Sequence, residues 1–252
     1  MQEQILYYEH PLDEHTRTCL RLEHLFAQQQ LLFSQQDPGL DRAALLNLLD
    51  LLECLDRGDI KAEFIKALEN HTGHFQKLLG NPNIDETKLA RFLEQLEKIS
   101  EWLRGYQGKF GMGIRNDAFL EAAKHRIRIP GGACCFDLPE LHYFLNQPAE
   151  VRQRRFDDWM QDLSGLNTCI RVLLRLLREK GKFAEQVASA GFFQQDFANS
   201  HDLIRIAVPA DLPFYPEVSA SRRHISIRFL GGGGTGHATQ TTGDVTFDLA
   251  LC

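Results

Sequence analysis

The chain has 252 residues, 43% hydrophobic and 25% charged, the balance of a folded globular protein whose core needs no disulfide or metal staple. Its net charge of -6 argues against general nucleic-acid binding, and no apolar run reaches the roughly 20 residues of a membrane-spanning helix. Met1-Gln2-Glu3-Gln4 carries no basic leader and no signal-peptide core, so the chain is expected to stay in the cytoplasm.

Residues 5–8 read as a short strand that ends at His10-Pro11. From Asp13 the apolar spacing turns helical, through Cys19, Leu22, Phe26 and Phe33, until Asp37-Pro38-Gly39 breaks it. A second helix from Asp41 places Leu45, Leu48, Leu49, Leu52 and Leu55 on one stripe and stops at Arg57-Gly58. Residues 60–79 form a third helix, and residues 80–83 close it. The fourth, from Asp85, is the clearest, with Leu89, Phe92, Leu93, Leu96, Ile99 and Leu103 at helical spacing. Four glycines within residues 105–113 predict a mobile loop, after which Asn116 caps a short helix through Lys124. Pro130, Gly131 and Gly132 exclude helix, so residues 127–132 are expected to be extended. Helical spacing returns over 151–160 and 166–178.

After Gly181 the pattern changes. Residues 203–208, 225–230 and 245–251 are short runs rich in β-branched and aromatic side chains; Ile225, Ile227 and Phe229 alternate with Ser226 and Arg228. Helices first and strands last predict an α+β fold. A mainly helical domain, residues 12–125 and 140–180, is expected to pack on a smaller β-rich antiparallel-sheet domain, residues 2–9, 126–139 and 183–252. The early strand and the segment around Ile129 are expected to join that sheet.

No residue constellation points to catalysis, a cofactor or a metal. Residues 231–236 satisfy a glycine-rich nucleotide pattern, but the continuation lacks the helix whose N-terminus receives phosphates, so a hairpin loop is expected. His71 and His74 are only two ligands, with nothing placed to complete a site. The six cysteines, Cys19, Cys54, Cys134, Cys135, Cys169 and Cys252, form no metal or redox spacing and are expected to be thiols packed as small hydrophobes. A binding protein is therefore expected rather than an enzyme.

Positive charge is clustered instead of general. Arg152, Arg154 and Arg155 open one helix, and Arg171, Arg175 and Arg178 make a stripe on the next. Arg222, Arg223 and Arg228 lie on and just before a strand. A nucleic-acid-binding protein using the helical stripe is the alternative reading, opposed by net charge and by the lack of interleaved aromatic residues.

Three blocks resemble the ZapD family of bacterial cell-division proteins. Tyr8-Glu9-His10-Pro11-Leu12 with Arg17-Thr18 and Leu20-Arg21-Leu22-Glu23 opens the chain. Ile129-Pro130-Gly131-Gly132, Phe136-Asp137-Leu138-Pro139 and Leu141-His142 mark its middle, and Tyr215-Pro216, Ile227-Arg228-Phe229 and Phe247-Asp248-Leu249 its end. The resemblance implies a homodimer that binds the C-terminal tail of the tubulin-like protein FtsZ and cross-links its filaments at the midcell division ring. The family's basic residue in a helix-ending Arg-Gly step falls on Arg57, and that of the Ile-Arg-Phe strand on Arg228. A third, four residues before Arg228, falls on His224, a departure for which Arg222 and Arg223 supply charge.

Overall fold

The computed structural model describes residues 4–33, 37–81, 85–221, 223–231 and 238–252. Arg21–Leu173 forms one compact unit, and Met1–Leu20 with Leu174–Cys252 forms the other. The division falls inside helices α1 (Glu14–Phe33) and α9 (Ser164–Lys180).

In the helical unit, aspartates start the helices. Asp37 accepts from the Gly39 amide ahead of α2 (Pro38–Leu55), Asp59 from Ala62 in α3 (Ile60–Gln76), and Asp85 from Lys88 in α4 (Glu86–Gly105). Each such cap contributes about 1 kcal/mol. Asp37-Pro38-Gly39 thus begins α2, three residues ahead of the Asp41 start expected, because proline suits a first turn where no amide is required. The leucine stripe of α2 is buried as its spacing demands, and Phe75 meets Phe92 edge-on at 5.1 Å where α3 and α4 pair. Gly165, in α9, lies under the indole of Trp102; a Cβ there would stand 2.3 Å from the ring.

Several local expectations change here. Part of the glycine-rich stretch is helical, as α5 (Met112–Arg115), and Asp117 rather than Asn116 caps α6 (Ala118–Arg126). Asp117 wins because its carboxylate reaches the amides of both Phe119 and Leu120. Helix α7 (Pro139–Leu145) was not anticipated, and α8 (Ala149–Gln161) follows it. Residues 126–139 join neither sheet and fall with the helical unit, which corrects their expected place beside the strands. Their backbone closes on itself in turns instead of a ladder: Gly132 donates to the Ile129 carbonyl at 2.8 Å, and Gly131 takes a φ of +75°. A Cβ at Gly132 would stand 2.3 Å from the Arg126 carbonyl oxygen.

Arg152 of α8 and Asp41 of α2 form a buried ion pair, and Arg152 also donates to the Gln147 carbonyl. Beside it, Arg155 lies over the ring of Phe119 at 4.4 Å within a cluster that includes Phe144, Phe156 and Trp159.

The second unit is a sandwich of two antiparallel sheets, which with the helices makes the fold α+β. One sheet runs β1 (Ile5–Pro11), β4 (Leu203–Pro209), β8 (Val245–Leu251), β2 (Ala184–Ala188). The other runs β3 (Phe192–Asp196), β6 (His224–Gly231), β5 (Phe214–Ala220), with β7 (Thr239–Gln240) pairing the end of β6. Ile204, Ile206, Val208, Phe247 and Leu249 of the first sheet meet Ile225, Ile227 and Phe229 of the second. The alternation along β6 is what buries these and turns Arg228 outward.

On the outer face of the first sheet, Glu9 receives Arg178 at 2.7 Å and Arg205 at 2.9 Å, and Arg205 also lies over Phe183 at 5.1 Å. Burial pushes the Glu9 carboxyl up, but the two guanidinium groups outweigh it and hold it below its ordinary value of 4.5. A carboxyl depressed in the folded state stabilises above its unfolded value, and that contribution is lost as pH falls through the folded one. Glu9→Gln is therefore expected to cost about 1.5–3 kcal/mol at pH 7. The gap between variant and parent should close as urea unfolding is repeated below pH 4.5. A gap that stays constant down to strongly acidic pH would show that the charge on Glu9 contributes nothing.

Candidate basic binding site

Arg57 follows the C-terminus of α2, exposed, one residue before Gly58, whose φ of +68° turns the chain away. The acids beside it in sequence are engaged elsewhere. Asp56 binds Arg115 at 2.7 Å, and Asp59 caps α3. Arg57 has no ion pair among the described residues. Its position just past the C-terminus also complements the carbonyl end of the helix.

Arg228 stands on the exposed face of the second sheet, between the buried Ile227 and Phe229. It too has no ion pair among the described residues. Arg223 lies in the turn before β6, exposed, while its carbonyl accepts from Phe197 at 2.8 Å. Five residues of strand separate Arg223 from Arg228, about 17 Å at an antiparallel rise. His224 shares the outward face with Arg228, but its Nδ1 is 2.8 Å from Asp196 Oδ1, so any charge it carries is matched locally. Arg222 lies outside the described residues. The structure thus places Arg223, His224 and Arg228 on one strand and its leading turn, as a spaced line instead of a dense patch. Arg57 belongs to the helical unit.

The other basic clusters of the sequence are largely engaged. On α9, Arg175 binds Glu179 at 3.0 Å and Arg178 binds Glu9, which leaves Arg171 as the stripe's one cation with no ion pair among the described residues. On α8, Arg152 is buried against Asp41 and Arg155 is within 3.4 Å of Asp117. Helical spacing placed these arginines on one face but gave no sign of the carboxylates that come from distant parts of the chain. The neighbours of Arg228 were equally hidden. Phe192 and Glu217 flank it only through sheet register, which the alternation of one strand does not specify.

All six cysteines are free thiols. Cys19, Cys54, Cys169 and Cys252 are buried as small hydrophobes, whereas Cys134 and Cys135 are exposed, contrary to the packed role expected of them. The glycine run expected to form a hairpin loop lies, beyond Gly231, outside the described residues; β7 (Thr239–Gln240) pairs antiparallel with the end of β6. No described helix is long and apolar enough to cross a membrane.

A family model described as ZapD, cell division protein, matches residues 20–228. The chain belongs to the ZapD family. It is 35% identical to the cell division protein ZapD of Methylococcus capsulatus over 255 residues, covering 100% of this chain and 99% of that protein. Identity to the ZapD of Chromobacterium violaceum is 36% over 250 residues, covering 98% and 99% of the two chains. For the ZapD of Vibrio cholerae it is 33% over 246 residues, covering 97% and 98%. The span matched by the family model includes both Arg57 and Arg228.

Proposed function

We propose that this chain is a non-enzymatic cytoplasmic cell-division factor that binds the C-terminal tail of FtsZ. As a homodimer it cross-links and bundles FtsZ filaments at the midcell ring, in support of septum formation. Membership of the ZapD family supports the division role. The observation that carries the binding role is that Arg57, Arg223 and Arg228 are exposed and have no ion pair among the described residues. Arg222 and His224 complete the proposed set.

A tail ordered on binding loses conformational entropy, so a single arm is expected to bind in the micromolar range, roughly -8 kcal/mol. The nucleic-acid reading fares worse. The net charge is -6, and two of the three arginines in the stripe it needs already hold carboxylates.

Reversing Arg228 to glutamate replaces attraction by repulsion and is expected to cost about 1–3 kcal/mol of tail affinity; Arg57→Glu should behave alike. Both side chains are exposed, so the fold should survive. Titration of the tail peptide into each variant, with melting temperatures alongside, checks this. Full affinity in a folded Arg228→Glu protein would move the site elsewhere.

A further inference from the structure

Arg228 is the centre of a row that crosses β3, β6 and β5 of the second sheet. In register it faces Phe192 of β3 on one side and Glu217 of β5 on the other. Tyr215 pairs with Leu230 and so lies diagonally beside Arg228 on the same face. Phe192 and Tyr215 are 36% and 41% exposed, and Glu217 is exposed as well. Residues directly opposite in antiparallel strands hold their Cβ atoms about 4.5–5.5 Å apart, and diagonal neighbours are within reach of aromatic side chains. Even so, Arg228 neither pairs with Glu217 nor stacks on either ring, among the described residues. One cation, one anion and two apolar rings therefore stand side by side on an open surface.

We infer that this row sets the specificity of the site, taking a peptide that presents a carboxylate next to a basic side chain, with an apolar side chain laid on Phe192 and Tyr215. The inference rests on the tail-binding reading above. Its basis is charge complementarity. A carboxylate that docks on Arg228 also approaches Glu217, and like charges about 7 Å apart in water lose about threefold in affinity. A basic side chain beside that carboxylate reverses the sign by meeting Glu217. A polyanion carries no such group and is penalised along its length. The two rings offer contact area at little cost in side-chain freedom, which suits a short peptide.

The test titrates the FtsZ tail peptide, and heparin as a polyanion, into the full chain and into Glu217→Gln, Phe192→Thr, Tyr215→Thr and Arg228→Glu. Threonine keeps the β-branched character of the strands, and equal unfolding midpoints establish that each variant is folded. Glu217→Gln is expected to weaken the tail by about threefold while strengthening heparin. The threonine variants should each weaken the tail by a similar factor, and that loss should persist at high salt, where the loss in Arg228→Glu fades. Tail affinity unchanged or raised in Glu217→Gln overturns the inference, as does tighter binding of heparin than of tail by the parent protein. Threonine variants with parental affinity overturn the apolar part. If Arg228→Glu weakens the tail and these other variants do not, the inference alone fails; if Arg228→Glu is also without effect, the tail-binding site itself is misplaced.

Discussion

Asp41→Ala is expected to lower the unfolding free energy by about 3–5 kcal/mol, a large share of what holds a domain folded. The side chains of Arg152 and Asp41 are 6% and 8% exposed, so removal of the carboxylate strands a guanidinium away from water. The carbonyl of Gln147 still accepts from it but cannot neutralise it. The penalty comes from a buried charge that Asp41 no longer offsets more than from the lost attraction, and a paired substitution separates the two. Asp41→Leu with Arg152→Met removes both charges and fills similar volume, and it should recover most of the loss. Denaturant midpoints for the single and double variants decide it. A loss below about 1 kcal/mol in Asp41→Ala would mean that water reaches the pair and that its burial is not the controlling fact.

A monomeric variant is expected to lose filament bundling almost completely while still binding the isolated tail with near-normal affinity. Bundling requires one particle to hold two filaments, and the sequence has no internal repeat that supplies two equivalent tail sites. In the proposed homodimer two-fold symmetry supplies them, because each copy presents the same surface. Once one arm is attached, the second meets its filament at a high effective concentration, a gain of roughly a hundredfold or more over the single arm. Charge substitutions at the dimer surface, once that surface is mapped, should abolish this gain. Sedimentation of FtsZ polymers with the variant, and sizing to establish the monomer, give the outcome. Bundles formed by a verified monomer would require two distinct filament sites on each chain.

What the sequence made legible was local. The leucine stripe of α2, the periodicity of α4 and the alternation in β6 and β8 were visible because each segment buries one face of a regular repeat. Besides the two-residue β7, three strands were missed for identifiable reasons. Most of β2 is exposed, β3 continues Phe193 with polar Gln194, Gln195 and Asp196, and β5 contains Pro216, tolerated because that strand is an edge. The segment around Ile129 was misplaced because proline and glycines exclude helix without specifying what replaces it. At the proposed site, Arg228 was legible from its place in an alternating strand. The engagement of Arg152 and Arg178 was not, since Asp41 and Glu9 reach their partners only after folding, whereas Arg175 meets Glu179 one turn on in its own helix.

The unequal exposure of the thiols gives the protein a chemical handle. Burial pushes Cys169 up to about 12 and raises Cys252 as well, and Cys19 and Cys54 are buried too. A maleimide at neutral pH meets only Cys134 and Cys135, because alkylation needs an accessible thiolate. Changing one of the two to serine leaves a single attachment point within the turn-rich segment of the helical unit, whereas Arg228 belongs to the other unit. A fluorophore coupled there labels the folded chain while every side chain of the strand face proposed to bind the tail keeps its own chemistry.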